Sequence, residues 1–202
     1  TKFMYPLFES LCVLDGQILH PHWHEERYHA AFQHYYGTPP KKGLLEGIII
    51  PNPWRTGMVK LRISYNEYQR ELLWSAYVIS EIKSLQAVSD DVLEYGLKFN
   101  DRKQLNALYE KRGGCDDILI LKSGWVTDTS YGNLAFLKEG LWYTPEQPLL
   151  PGTCRARLIA EEKLIPTAIY HSDLEQFSAF KVINAMRDLE AVGAAAIENI
   201  FI

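Results

Sequence analysis

Apolar and polar positions alternate along "LFESLCVLDGQIL", and Asp15-Gly16 interrupts them, so the pattern predicts two short strands around a turn. The period then lengthens. From His24, the residues Arg27, Tyr28, Ala31, Phe32 and Tyr35 recur at helical spacing until Gly37 stops them, and Pro21 suits the first turn of that helix. "GTPPKKG" reads as a loop. "GMVKLRISYN" and "RELLWSAYVIS" return to alternation as strands, with 66–72 between them as a hairpin loop. A second region opens near residue 89, after "SLQAVSDD". "EYGLKF" is strand-like, and "DRKQLNALYEKRGG" is a helix closed by Gly113-Gly114. Two hairpins follow, "DDILILKSGWVTDTS" and "NLAFLKEGLWYT", turning at Ser123-Gly124 and Glu139-Gly140. After the loop Pro148–Pro151, "GTCRARLIAEE" starts a helix, and "FKVINAM" is a late buried strand. Strands dominate, so the expected class is α+β, in two small α/β sub-domains spanning 1–88 and 89–202.

Composition adds limits. With 202 residues, 47% of them hydrophobic, the chain can bury a core in one domain or two small ones. The net charge of −4 comes with no block of Lys and Arg, which argues against nucleic acid as a partner. No apolar run approaches the ~18 residues of a membrane span, and no signal peptide is expected. Cys12, Cys115 and Cys154 are odd in number and far apart, which fits reduced thiols in a cytoplasmic protein.

Four stretches carry candidate chemistry. In "HPHWHEER", His20, His22 and His24 could share a face and bind a metal if the segment were extended, but Pro21 and helical spacing scatter the rings, so no metal site is expected. On the helix, His24 and Arg27 are one turn apart and share a side. Lys98, in a mostly apolar strand, is either a lysine that snorkels outward or a desolvated amine able to form a Schiff base. Asp128, where a strand yields to Thr, Ser and Gly, is either a turn residue or a carboxylate holding a heterocyclic nitrogen protonated, with room for a flat ring. Gly152-Thr153-Cys154 opens a helix whose first N–H groups suit an anion, phosphate above all.

Taken in order, these segments resemble the class IV aminotransferase family, the fold-type IV enzymes that use pyridoxal 5′-phosphate (PLP). The motifs are Glu9-Ser10, Asp15-Gly16 and His24-x-x-Arg27, then Lys98-Phe99-Asn100-Asp101-Arg102, then "VTDTSYGNLAF" and "TPEQPLLPGTCR". Asp128 stands where the family usually has glutamate. Lys103, with Asn106 three residues on, also fits the short lysine pattern, but it would further shorten an already short connection to Asp116-Asp117.

The resemblance implies a fold of the D-amino-acid-aminotransferase type, with the active site between two sub-domains and PLP as cofactor. It implies Lys98 as Schiff-base lysine, Asp128 on the pyridine nitrogen and Arg27 on the phosphate. Thr153 and Cys154 would cradle that phosphate, with Asn184 and Ala185 beside it. Arg102 and Arg155, or else Arg157 or Arg187, would bind a substrate carboxylate. The tail, "LLPGTCRARLIAEEKL" and "DLEQFSAFKVINAMRD", resembles 4-amino-4-deoxychorismate lyases, which release pyruvate and 4-aminobenzoate. An aminotransferase of branched-chain or D-amino acids, or an inactive protein that kept the fold, stays open at this stage. A small amino substrate and a homodimer are the implied partners.

Overall fold

The computed structural model describes residues 4–202, and backbone proximity divides them into two units. The first holds the chain up to Val78 and takes back Leu97–Asp101. The second comprises Ile79–Gly96 and Arg102–Ile202. A single cut at 88/89 does not describe this division. Residues 85–89 form a strand that pairs with the second unit's own sheet, and the lysine segment returns to the first.

In the first unit, β1 (Leu7–Leu14) and β2 (Gln17–Ile18) flank the turn at Asp15-Gly16, whose φ values of 47° and 78° suit the tight left-handed hairpin turn. Helix α1 (Pro21–Tyr36) starts on Pro21 and ends on Gly37 at φ 77°. Strands β3 (Met58–Tyr65) and β4 (Arg70–Ala76) complete an antiparallel sheet in the order β2-β1-β3-β4. Leu7, Leu11 and Val13 of β1 and Leu61 and Ile63 of β3 pack in one core with Tyr28 and Phe32 of α1. Each such side chain stabilises by about 1.5–3 kcal/mol relative to exposure.

The expected strand over 94–99 is not formed. Residues 97–100 lie along the free edge of β1 near Leu7, held by Phe8 N–H donating to the Lys98 carbonyl at 3.0 Å and Asn100 N–H donating to the Pro6 carbonyl at 2.8 Å. Side chains do the rest. Asn100 Nδ2 donates to the carbonyls of Tyr5 (2.6 Å) and Leu7 (3.2 Å), while its Oδ1 accepts from Arg62.

The second unit contains β5 (Leu85–Ser89), α2 (Lys103–Tyr109), β6 (Asp117–Lys122), β7 (Trp125–Val126), β8 (Asn133–Lys138) and β9 (Leu141–Pro145). It continues through α3 (Thr153–Ala160), β10 (Ile165–Thr167), β11 (Ala179–Ile183), β12 (Ala195–Ala196) and β13 (Ile200–Phe201). Two sheets result, β10-β9-β8-β11-β12 and β13-β5-β6-β7. Leu119 and Leu121 of one meet Leu134, Phe136 and Phe180 of the other in a shared core. The hairpins turn at Ser123-Gly124 and Glu139-Gly140 as expected. β5 went unread because it pairs in parallel with β6, with no turn between them to announce the pairing.

Candidate active site

The first unit gathers a charged cluster around Glu9. Alternation along β1 sends Glu9 to the same face as Leu7, Leu11 and Val13, the face covered by α1. A carboxylate there, 1% exposed, must find partners, and α1 brings them from consecutive turns. His24 Nδ1 lies 2.9 Å from Glu9 Oε2. Arg27 adds a two-pronged pair, Nε to Oε1 at 2.8 Å and Nη2 to Oε2 at 2.5 Å. Burial pushes Glu9 upward, but the Arg27 charge and the donors from His24 and Arg27 outweigh it and hold the carboxyl at about 2. Burial drives His24 the other way, below its ordinary value, with the charges of Arg27 and Lys98 adding to it against Glu9. His24 is therefore a neutral imidazole whose Nδ1–H donates to Glu9. The Nε–Nη2 edge of Arg27, expected on a phosphate, is engaged by Glu9. His22, by contrast, pairs on the surface with Glu26 at 3.0 Å, so the histidine rings diverge. Among the described residues, no group of three His, Cys, Asp or Glu could hold a metal ion.

Lys98 belongs to this unit as well. Its Nζ sits 4.8 Å from the Phe8 ring centroid, and the Arg62 guanidinium sits 3.6 Å from the same centroid. Phe8 and Arg62 leave the sheet on the face opposite Glu9, where Ser10 and Arg62 are cross-strand partners. Lys103, the alternative lysine, starts α2 in the second unit.

The second unit builds its cluster around Asp128. Backbone bonds pin this residue beside β6, with Ile120 N–H donating to the Asp128 carbonyl at 2.8 Å. Its carboxylate is 4% exposed. Asn133 Nδ2 donates to Oδ1 at 2.7 Å, and Leu150 N–H donates to Oδ2 at 2.8 Å. Burial is the largest influence and raises Asp128 to about 7. The Leu150 and Asn133 donors and the field of Arg155 pull it back only in part. Nearby, Asp117 accepts from Ser130 Oγ at 2.5 Å, which fixes the tip of "TDTSYGN".

The loop joined to Asp128 runs straight into α3. Gly152 caps that helix with extended backbone, and a Cβ there would fall 1.8 Å from Asn133 Oδ1, so any larger residue must displace the Asn133 amide. Thr153 and Cys154 follow in the first turn, where the helix leaves its N–H groups pointing out of the end. The Cys154 side chain packs with Leu158 and Ile183, and burial pushes its thiol up to about 12, so it is an inert core thiol and contributes only its backbone here.

The remaining candidates are spread through the second unit. Arg155 is buried; its Nε donates to Thr144 Oγ1 at 3.2 Å and its Nη2 to the Pro145 carbonyl at 2.8 Å, tying α3 to β9. Arg157 pairs with Glu161 and Asp188. Arg187 donates to the carbonyls of Val182 and Ser80. Arg102 is half-buried at the start of α2; it donates to the Ser130 carbonyl at 2.7 Å and stacks 4.3 Å from the Tyr131 centroid. Asn184 and Ala185 enter a tight turn closed by Arg187, and Asn184 Nδ2 donates to the Tyr131 carbonyl at 3.1 Å. Sequence reasoning passed over Glu9 and Asn133 as partners. Both were quoted inside motifs, but the residues they bond lie 5 to 18 positions away.

Comparison with known proteins agrees with these motifs. Residues 95–194 match the family model described as amino-transferase class IV. An uncharacterized protein of Haemophilus influenzae is 40% identical over 188 residues, which is 92% of this chain and 100% of that protein. The crystal structure of a proposed 4-amino-4-deoxychorismate lyase from Haemophilus somnus is 34% identical with a TM-score of 0.83, covering 94% of this chain and 100% of that one. A hypothetical aminotransferase of Mycobacterium tuberculosis, in a PLP-bound form, shares the fold at a TM-score of 0.68 and 14% identity, covering 97% of this chain and 81% of its own. The α+β fold is that of the fold-type IV enzymes, and the chain belongs to the class IV aminotransferase family.

Proposed function

We propose that this chain is a PLP-dependent lyase that cleaves 4-amino-4-deoxychorismate into 4-aminobenzoate and pyruvate. The observation that carries the cofactor assignment is Asp128. It is a sealed carboxylate whose hydrogen-bond donors, Leu150 N–H and Asn133 Nδ2, are both neutral, and burial leaves it at about 7. A protonated ring nitrogen is the complement such a group lacks, because a cationic donor would restore its charged form. The same loop leads to the α3 start, where the first-turn amides suit a phosphate. The donor set therefore fits PLP. Resemblance over nearly the full length to the Haemophilus somnus protein supports the choice of substrate.

When bound, PLP supplies a sink for the electrons released at the carbon bearing the substrate amine. Lys98 would be the residue that holds the cofactor, and its Nζ would move the proton at that carbon as general base. Asp128 would keep the ring nitrogen protonated through its carboxylate. The Thr153 and Cys154 amides and the Thr153 hydroxyl would hold the phosphate, and Arg27, oriented by Glu9, would supply positive charge for it. Lyases and aminotransferases of this kind would share that first proton removal. In the lyase the electron pair would then expel pyruvate as its enol, which takes up a proton as the ring becomes aromatic. In the aminotransferase the proton would be returned with no bond to a leaving group broken. The proposal includes a homodimer as the working form.

Borohydride reduction of the protein with PLP, followed by peptide mapping, tests the cofactor and lysine. An adduct on Lys98, absent in Lys98→Ala, is expected; an adduct on Lys103 moves the role, and no adduct removes it. Incubation with 4-amino-4-deoxychorismate should then yield 4-aminobenzoate and pyruvate with no keto acid added. Turnover that requires a second keto acid would replace the lyase with an aminotransferase.

A further inference from the structure

Asn133 occupies an unusual position between two parts of the second unit that are remote in sequence. Its Nδ2 donates to Asp128 Oδ1 at 2.7 Å and also to the Leu150 carbonyl at 2.9 Å. Leu150 returns its N–H to the other oxygen of Asp128 at 2.8 Å, which closes a ring of hydrogen bonds. The remaining side of the amide, Oδ1, lies against Gly152 so closely that no Cβ fits. Chemistry fixes which way the amide points, since its oxygen turned toward Asp128 would face a carboxylate. Both donors of this buried side chain are used, and neither reaches a residue of the helix that follows.

From this we infer that Asn133 is a positioning residue that locks Asp128 to the loop entering α3, setting the spacing between a ring-nitrogen anchor and a phosphate cradle. The inference rests on the PLP reading for what is held at the two ends, but the lock itself is a property of the chain. Physically, a ligand gripped at both ends binds well only if the grips are spaced in advance, because spacing them on binding costs affinity. Gly152 serves the lock by letting the loop reach Asn133. A larger residue would push Asn133 away from Asp128 and the Leu150 carbonyl.

Asn133→Ala and Gly152→Ala, alone and combined, test this in the full chain. PLP affinity of the cofactor-free protein, followed by absorbance, should fall about tenfold in Asn133→Ala, the loss expected for one hydrogen bond to a charged group. The Asp128 carboxyl, followed by carbon NMR, should titrate at higher pH once its Asn133 donor is gone. Gly152→Ala should weaken PLP and lower the melting temperature in the wild-type background, and cost little more in the Asn133→Ala background, where the clash is removed. Unchanged PLP affinity together with an unmoved Asp128 titration would overturn the inference, as would a Gly152→Ala penalty equal in both backgrounds. If Asn133→Ala does not fold, Gly152→Ala decides alone: an Asp128 titration unmoved by it overturns the lock. If wild-type protein takes up no PLP, the cofactor reading fails, while the Asp128 titration and the Gly152–Asn133 coupling still decide the lock.

Discussion

Glu9 in the first unit and Asp128 in the second are both carboxylates sealed from water, and they are driven in opposite directions, to about 2 and to about 7. Burial penalises both in the same sense. What differs is the partner. Glu9 meets the guanidinium of Arg27 along a two-pronged edge and a neutral imidazole, so the ionised form is strongly favoured. Asp128 meets an amide and a backbone N–H, which are neutral, and feels Arg155 only through its field. A buried carboxylate matched by its own cation is complete and holds the fold. One whose hydrogen-bond donors are neutral keeps much of the burial penalty, and the proposed cofactor's ring nitrogen is the positive charge that would relieve it.

The comparison can be broken most forcefully at Glu9. Glu9→Gln leaves the partly buried Arg27 charge without its counter-ion and should cost about 3 kcal/mol in urea denaturation; a loss below about 1 kcal/mol would mean the pair is not the support described. Asp128 should show the opposite linkage. Its folded pKa of about 7 lies above the ordinary 3.8, so its proton stabilises the fold at low pH and that stabilisation is lost as pH rises toward 7. The stability of wild-type over Asp128→Ala, measured without PLP, should therefore shrink by on the order of 2–4 kcal/mol between about pH 4 and pH 7. A flat difference contradicts the neutral-donor account. Glu9, lowered from 4.5 to about 2, contributes steadily above pH 4.5 and loses its contribution only as acid carries pH through about 2.

His24→Phe sharpens the same contrast with a smaller effect. It removes one donor to a charged group and leaves Arg27, so a loss of about 1.5–3 kcal/mol is expected, less than for Glu9→Gln in the same assay. The weakest effect belongs to His22→Ala. Its pair with Glu26 has the same chemistry as His24 with Glu9, but both side chains are exposed. Its removal should change stability by less than about 0.5 kcal/mol, and that little should vanish in high salt.

Particular residues show why some of this was legible and some was not. The hairpins at Asp15-Gly16, Ser123-Gly124 and Glu139-Gly140 could be read because two successive left-handed residues demand that chemistry locally. α1 could be read between Pro21 and Gly37 because both helix-end signals are equally local. The segment at Lys98 was misread as a strand, because few backbone bonds, supplemented by Asn100, hold it to an edge formed 90 residues earlier. Arg155 looked like a ligand for a substrate carboxylate; the structure spends its Nε and Nη2 on β9.

Turn chemistry, helix ends and motif spacing are written within a few neighbouring residues, so the family, the three hairpins and α1 were legible in the chain itself. The electrostatics came from the folded arrangement alone. Whether a carboxylate is held at about 2 or at about 7 depends on which distant side chain folding brings against it, and the energy of a buried charge is set by that neighbour far more than by the residues beside it in the chain.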